Sequence, residues 1–86
     1  TLGHNPLRTN AFHEASKQYS KAINILESEN NKLNDNVKAI YYLARGISRY
    51  NALSNKDEVC EDLDKAEKFG SQIIKEESTN FKRFRC

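Results

Sequence analysis

Val37-Lys38-Ala39-Ile40-Tyr41-Tyr42-Leu43-Ala44-Arg45-Gly46-Ile47-Ser48-Arg49-Tyr50-Asn51-Ala52-Leu53 is the stretch that decides the fold. Val37, Ile40, Ala44 and Ile47 fall at i, i+3, i+7 and i+10. Leu43, Gly46, Tyr50 and Leu53 form a second row at the same spacing. One apolar row makes an amphipathic helix; two rows make a helix packed on two sides, as in the middle of a stack. Gly46 costs about 1 kcal/mol of helix propensity against alanine, so a close approach by a neighbouring helix is expected there.

The flanks read as further helices. Upstream, Thr1 to Pro6 is an irregular lead-in. Leu7, Ala11, Phe12 and Ala15 predict a short helix over about 7–16. Ser16, Lys17 and Gln18 are read as a polar break, and Tyr19, Ala22, Ile23, Ile25 and Leu26 as a second helix over about 19–30. The Asn-rich run from Asn30 to Asn36 is a loop, since Asn and Asp side chains compete for local backbone groups. Asn34 or Asp35 is placed to cap the next helix. Downstream, Ser54, Asn55 and Lys56 form a break, with Asn55 and Glu58 spaced as a capping box. Val59, Cys60, Leu63, Ala66 and Phe69 predict a one-sided helix over about 57–69, and Gly70 stands where a left-handed C-terminal cap wants glycine. Ile73, Ile74, Phe81 and Phe84 belong to a last helix. No stretch keeps the alternation of a strand.

Composition narrows the function classes. Eighty-six residues make one domain with a thin core, burying about 60% of its unfolded surface or slightly more. A net charge of +2 lacks the basic footprint of a dedicated nucleic-acid binder. No apolar run approaches the roughly 18 residues that span a bilayer. There is no Gly-rich phosphate loop and no HExxH, so neither a cofactor nor catalysis is expected. His13 lies with Asn10 and Glu14 on one helix, read as a solvated or peptide-contacting face. Glu61, Asp62 and Asp64 lie among lysines and read as a solvated surface with i, i+4 pairs. Two histidines and two cysteines lack the paired spacing of a zinc site. Cys60 behaves as a small apolar residue; a bridge to Cys86 is possible, with no spacing argument for it.

The chain also resembles itself. Thr9 and Gly46, Ala15 and Ala52, Ala22 and Val59, Ile23 and Cys60, Leu26 and Leu63 are each 37 residues apart. A period of about 20–50 residues over helix, break, helix points to a helical solenoid. Tyr42 to Tyr50 is similar to the first helix of a tetratricopeptide (TPR) motif, with a large residue four before Gly46 and an aromatic after it. Glu61 to Gly70 is similar to the second helix, with Val59 and Leu63 as the small-then-large pair and Ala66 at the next small position. Tyr19 to Leu26 repeats that element in the first copy. Thr9 replaces the glycine of copy one, Arg49 replaces the aromatic of copy two with Tyr50 one step late, and neither copy ends in proline.

This resemblance implies an all-α fold of five helices: two antiparallel hairpins and a capping helix, a fragment of a right-handed α-solenoid. Repeat one covers about 7–33, repeat two about 36–70 and the cap about 71–85. It implies a non-catalytic scaffold module that binds a protein or peptide through its inner helices. That surface presents Asn10, His13 and Glu14 from copy one and Leu43, Ile47, Tyr50 and Asn51 from copy two. The competing reading makes Leu43, Ile47 and Tyr50 core, covered by the final helix. The carboxylate clamp of this family is not assembled: Pro6 stands for its lysine and Ala44 for its second asparagine. An alternative function lies in Phe81-Lys82-Arg83-Phe84-Arg85, whose aromatics and cations could meet nucleic acid or an acidic surface. The bland reading of the same segment is a helix end whose cations complement the macrodipole. The chain opens at Thr1 without methionine, and two repeats are fewer than a solenoid wants. Further helices or an export signal are therefore expected on the N-terminal side, with homo-oligomerisation the other way to shield the first helix. Cytoplasmic localisation is favoured unless such a signal exists.

Overall fold

A computed structural model describes residues 6–29, 31, 34–52 and 55–86, and the side chains from residue 10 onward within them. The expected lead-in over Thr1–Asn5, the loop residues Asn30, Lys32 and Leu33, and Leu53 and Ser54 lie outside the described residues, as do the side chains of Leu7 and Thr9. Four helices follow in order among the described residues: α1 (Pro6–Glu29), α2 (Asp35–Asn51), α3 (Lys56–Phe69) and α4 (Gln72–Arg85). The fold is all-α, with no strand among the described residues.

The break expected at Ser16–Gln18 does not form. Residues 6–29 are one helix of 24 residues, so the predicted helices over 7–16 and 19–30 are continuous and the first copy of the repeat holds no hairpin. None of the three polar residues removes a backbone donor or forces an unusual φ. The serine hydroxyls are satisfied inside the helix: Ser16 Oγ donates to the His13 carbonyl at 2.8 Å, and Ser20 Oγ to the Ser16 carbonyl at 3.0 Å. Ser16 itself is buried.

α2 is the hub. It runs antiparallel to α1, with Arg45 opposite Ser20 and Tyr42 opposite Glu27 as rungs. It runs antiparallel to α3, with Arg45 and Arg49 opposite Asp62. It lies roughly parallel to α4: Asn36 Oδ1 at its start accepts from the Ser71 N–H at 2.9 Å, and Tyr50 near its end packs edge-on against Phe81. The core forms where these helices converge, around Ile23, Tyr42 and Ala66, with Tyr41, Leu43, Phe69 and Ile74 against them. Tyr42 is the largest fully buried side chain, and its ring stacks on Phe69 with centroids 6.2 Å apart.

The two helix-associated glycines have one reason in common, and it is space. A Cβ on Gly46 would stand 3.3 Å from both Asp62 Cβ and Leu63 Cδ2, which is the close helix approach that its position predicts. Gly70 is not the left-handed cap expected of it: its φ of −77° and ψ of 158° are extended. A Cβ there would come within 2.7 Å of the Ala66 carbonyl oxygen and of Ile74 Cβ. The tight α3–α4 turn, not a positive φ, is what demands glycine. Gly70→Ala is expected to cost about 1–3 kcal/mol through overpacking. Urea unfolding checks this, and an unchanged midpoint would contradict it.

The last helix caps the stack with only part of its apolar set. Ile74 packs on the core and Phe81 meets Tyr50, but Ile73 and Phe84, expected in the same role, are 71% and 79% exposed. Eleven residues apart, the two share one outer face of α4. Asn55 caps α3 by accepting from the Asp57 N–H at 2.7 Å. Asn34 precedes α2 without a side-chain cap, and its Nδ2 instead donates to Glu29 across the turn at 2.9 Å.

Candidate functional site

One face of α2 carries Ile40, Leu43, Ile47, Tyr50 and Asn51, which helical phase places on one side. Ile40 is 44% exposed and Tyr50 45%, while Leu43 and Ile47 are half-buried. α4 reaches one end of this face. The Phe81 ring lies 5.9 Å from that of Tyr50, and the Arg85 guanidinium sits 3.8 Å from the centre of Phe81 and 5.0 Å from that of Tyr50. Tyr50 is thus partly covered by the final helix, and Ile40 is not in that contact. Asn51 is turned back on its own helix, its Nδ2 donating to the Ile47 carbonyl at 3.1 Å.

The seven residues predicted from sequence do not make one patch. Asn10, His13 and Glu14 are exposed on α1, where Glu14 lies 3.5 Å from Lys17. The Ser20–Arg45 rung sets the level of α1 on α2. Counting about 1.5 Å per residue from it, Asn10 lies some 15 Å along α1, past the end of α2. His13 and Glu14 come level with Asn51, but helical phase turns them away from Phe12, Ser16, Tyr19 and Ile23, the side that α1 packs inward. Leu43, Ile47, Tyr50 and Asn51 remain together.

A second cluster was not expected. Asp62, read from sequence as part of a solvated surface, is 1% exposed. Arg45 holds it in a two-pronged pair, Nε to Oδ2 at 3.0 Å and Nη2 to Oδ1 at 2.7 Å. Arg49 Nη1 donates to Oδ2 at 3.0 Å, and Arg45 Nη1 donates to Ser20 Oγ at 3.0 Å. The carboxylate joins α3 to α2, and the Arg45 guanidinium carries the link on to α1. The signal was in the sequence: Asp62 shares the i, i+3, i+4, i+7 face of Val59, Leu63 and Ala66, which is the buried face of α3. Nearby, Tyr42 donates to Glu27 Oε1 at 2.8 Å, and burial followed by that hydrogen bond pushes its phenol well above the usual tyrosine range.

The basic C-terminal segment is largely spent on internal contacts. Lys82 Nζ donates to Asp64 at 2.5 Å and to Glu67 at 2.7 Å, and Arg85 stacks on the two rings. Arg83 alone of its three cations is exposed, beside Phe84. The hydrogen bonds from Lys82, then Thr79, hold Glu67 below its ordinary range, and those to Asp64 and Glu67 hold Lys82 above its own. Glu67 therefore stabilises the fold fully above the ordinary carboxylate range, and this is lost as pH falls through its lowered pKa. Lys82 contributes fully below the ordinary lysine range and loses it only as pH rises through its raised pKa. Glu67→Gln is expected to flatten the acid limb of stability below about pH 4 and to leave the slope at neutral pH unchanged. Urea unfolding at stepped pH tests this; identical acid limbs would refute it.

Among the described residues no three His, Cys, Asp or Glu side chains converge as metal ligands. Among the same residues no helix is long and apolar enough to cross a membrane. Cys60 and Cys86 form a disulfide, with Cα atoms 6.0 Å apart, tying the end of α4 to α3. No family model, curated protein or solved structure matches the chain.

Proposed function

We propose that this chain is a non-catalytic interaction module of tetratricopeptide type, in which the α2–α3 hairpin is the repeat unit and the inner face of α2 receives an apolar segment of a partner protein or peptide. The observation that carries the reading is Ile40, 44% exposed on the helix that otherwise supplies the centre of the core. Val37, on the first turn of the same helix, is 43% exposed, so the apolar surface continues toward the helix start. Exposed aliphatic side chains in a row beside half-buried ones are the usual composition of a helix-in-groove contact. The hairpin supplies rigidity, since Gly46 against Leu63 and the Asp62 pairs fix α2 on α3.

The alternative, contact of the C-terminal segment with nucleic acid, keeps only Arg83 and Phe84 as exposed participants. That is less than the cationic track that phosphate binding uses. The α2 reading is preferred for that reason.

The test is a displayed library of short peptides selected against the wild-type domain and counter-selected against Ile40→Lys. Ile40 is well exposed, so the substitution is expected to leave the melting curve within about 0.5 kcal/mol of wild type. Enriched peptides should be rich in Leu, Ile and aromatics and should lose tenfold or more in affinity for the variant, roughly 1.4 kcal/mol. Peptides that bind both proteins alike would place recognition elsewhere and end the proposal.

A further inference from the structure

We infer that the Cys60–Cys86 disulfide is a reducible clasp that holds the last turn of α4 over Tyr50, and that a dithiol reductant opens it. Three observations meet here. The first is how little else holds this end of the helix. α4 fully buries one residue among its described positions, Ser78, and its ties to α3 by Thr79 and Lys82 stop a full turn before the chain reaches Cys86. Segments with few buried apolar contacts are the ones that open locally. The second is the state of Arg85. Its guanidinium is stacked on Phe81 and Tyr50, and its Nε is buried with no hydrogen-bond partner. An Nε donor removed from water and left unpaired disfavours the closed arrangement, and the covalent bond one residue away opposes that cost. The third is access: Cys86 is exposed, whereas Cys60 is half-buried in the α3 face.

The exchange balances without any group from elsewhere in the chain. One thiolate of the dithiol attacks the Cys86 sulfur; the S–S bond breaks, a mixed disulfide forms on Cys86 and Cys60 leaves as thiolate and takes up a proton. The second thiol of the donor attacks the mixed disulfide, releasing the Cys86 thiol and leaving the donor as a cyclic disulfide. Two electrons pass from donor to cystine. In the open form Arg85 regains water at Nε and the Tyr50 ring loses its cover. The effect on partner binding rests on the reading of α2 given above; the clasp does not.

Hydrogen exchange by mass spectrometry on the full chain, oxidised and after treatment with dithiothreitol, is the test. Amides over residues 79–86 should gain about tenfold or more in exchange rate on reduction beyond whatever acceleration α1, α2 and α3 share through the loss of global stability. Unchanged exchange over 79–86 would overturn the clasp. So would an acceleration by one common factor in all four helices, because the disulfide would then be a global staple alone. The double variant Cys60→Ser/Cys86→Ser should show the open pattern with or without reductant; should it not fold, the wild-type comparison still decides. Binding of an α2-directed peptide in the same two states separates the two ideas. Faster exchange with tighter peptide binding supports both, and faster exchange with unchanged binding keeps the clasp and removes Tyr50 from the binding face.

Discussion

Asp62→Ala is expected to lose roughly 3–5 kcal/mol of folding stability, the usual effect of removing one partner from a buried charge cluster. A domain of this size has roughly 4–13 kcal/mol in total, at about 0.05–0.15 kcal/mol per residue. The substitution therefore leaves a protein near its unfolding threshold. The reason lies in what stays behind. Arg45 is 12% exposed and Arg49 23%, so both guanidinium groups are mostly out of water, and Asp62 is the carboxylate that accepts from both. Ser20 Oγ, the other acceptor that Arg45 reaches, carries no formal charge and is itself committed as a donor to the Ser16 carbonyl. The cavity left by the carboxylate is small, so the loss is electrostatic and not one of packing. It follows that Asp62→Ala combined with Arg45→Met should be milder than Asp62→Ala alone, because the second change removes the more buried of the two orphaned cations. Urea unfolding of the two singles and the double gives the coupling directly. A loss below about 1 kcal/mol for Asp62→Ala, or strictly additive effects, would mean that the cluster is solvated in practice.

This cluster also shows where the sequence was legible and where it was not. The two apolar rows of the central helix announce a helix covered on two sides, and α2 is that helix, touched by α1, α3 and α4. Gly46 was legible for the same reason: a glycine inside a strong helix pattern has few other uses. For Asp62 charge type points to solvent and helical phase to the core, and phase wins: Val59, Leu63 and Ala66 put it on the buried side. The polar run Ser16–Gln18 obeys the same rule and stays helical. Phe12, Tyr19, Ile23 and Leu26 hold one phase straight through the polar trio, and phase, not polarity, decides whether a helix continues. Gly70 was legible as the residue that ends α3 but not in its conformation, because the space it needs is set by the Ala66 carbonyl and by Ile74, a contact that exists only once α4 has turned back on α3. The disulfide was open for a related reason: a separation of 26 residues carries no geometry until two antiparallel helices bring its ends together. Of the candidate binding residues, those on α2 stay together because one helix face carries them. Asn10, His13 and Glu14 were assigned by analogy to a hairpin that α1, as a single helix, does not form.

Reduction of the Cys60–Cys86 bridge is expected to lower global stability by up to about 3.5 kcal/mol, from the chain entropy returned to the unfolded state when a loop of this size is released. The bridge joins residues 26 apart and encloses the α3 residues after Cys60, the α3–α4 turn and all of α4. For a domain this small, each kcal/mol moves the midpoint by about 4–8 °C, so the full loss corresponds to a fall in Tm of about 14–28 °C. The figure is an upper limit for a physical reason. If the last turn of α4 already opens in the reduced native state, the native ensemble regains part of the same entropy and Arg85 regains its hydration, and both offset the loss. The size of the drop therefore measures how much of α4 stays docked without the bond. A drop near the full value means that α4 stays closed after reduction, and a clearly smaller one means that its end has opened. Circular dichroism melts of the full chain with and without dithiothreitol give the number, and Cys60→Ala/Cys86→Ala gives it again without reductant. Coincident melting curves for oxidised and reduced protein would mean that the bridge constrains nothing the unfolded chain would otherwise explore, and would remove the stabilising role argued for it.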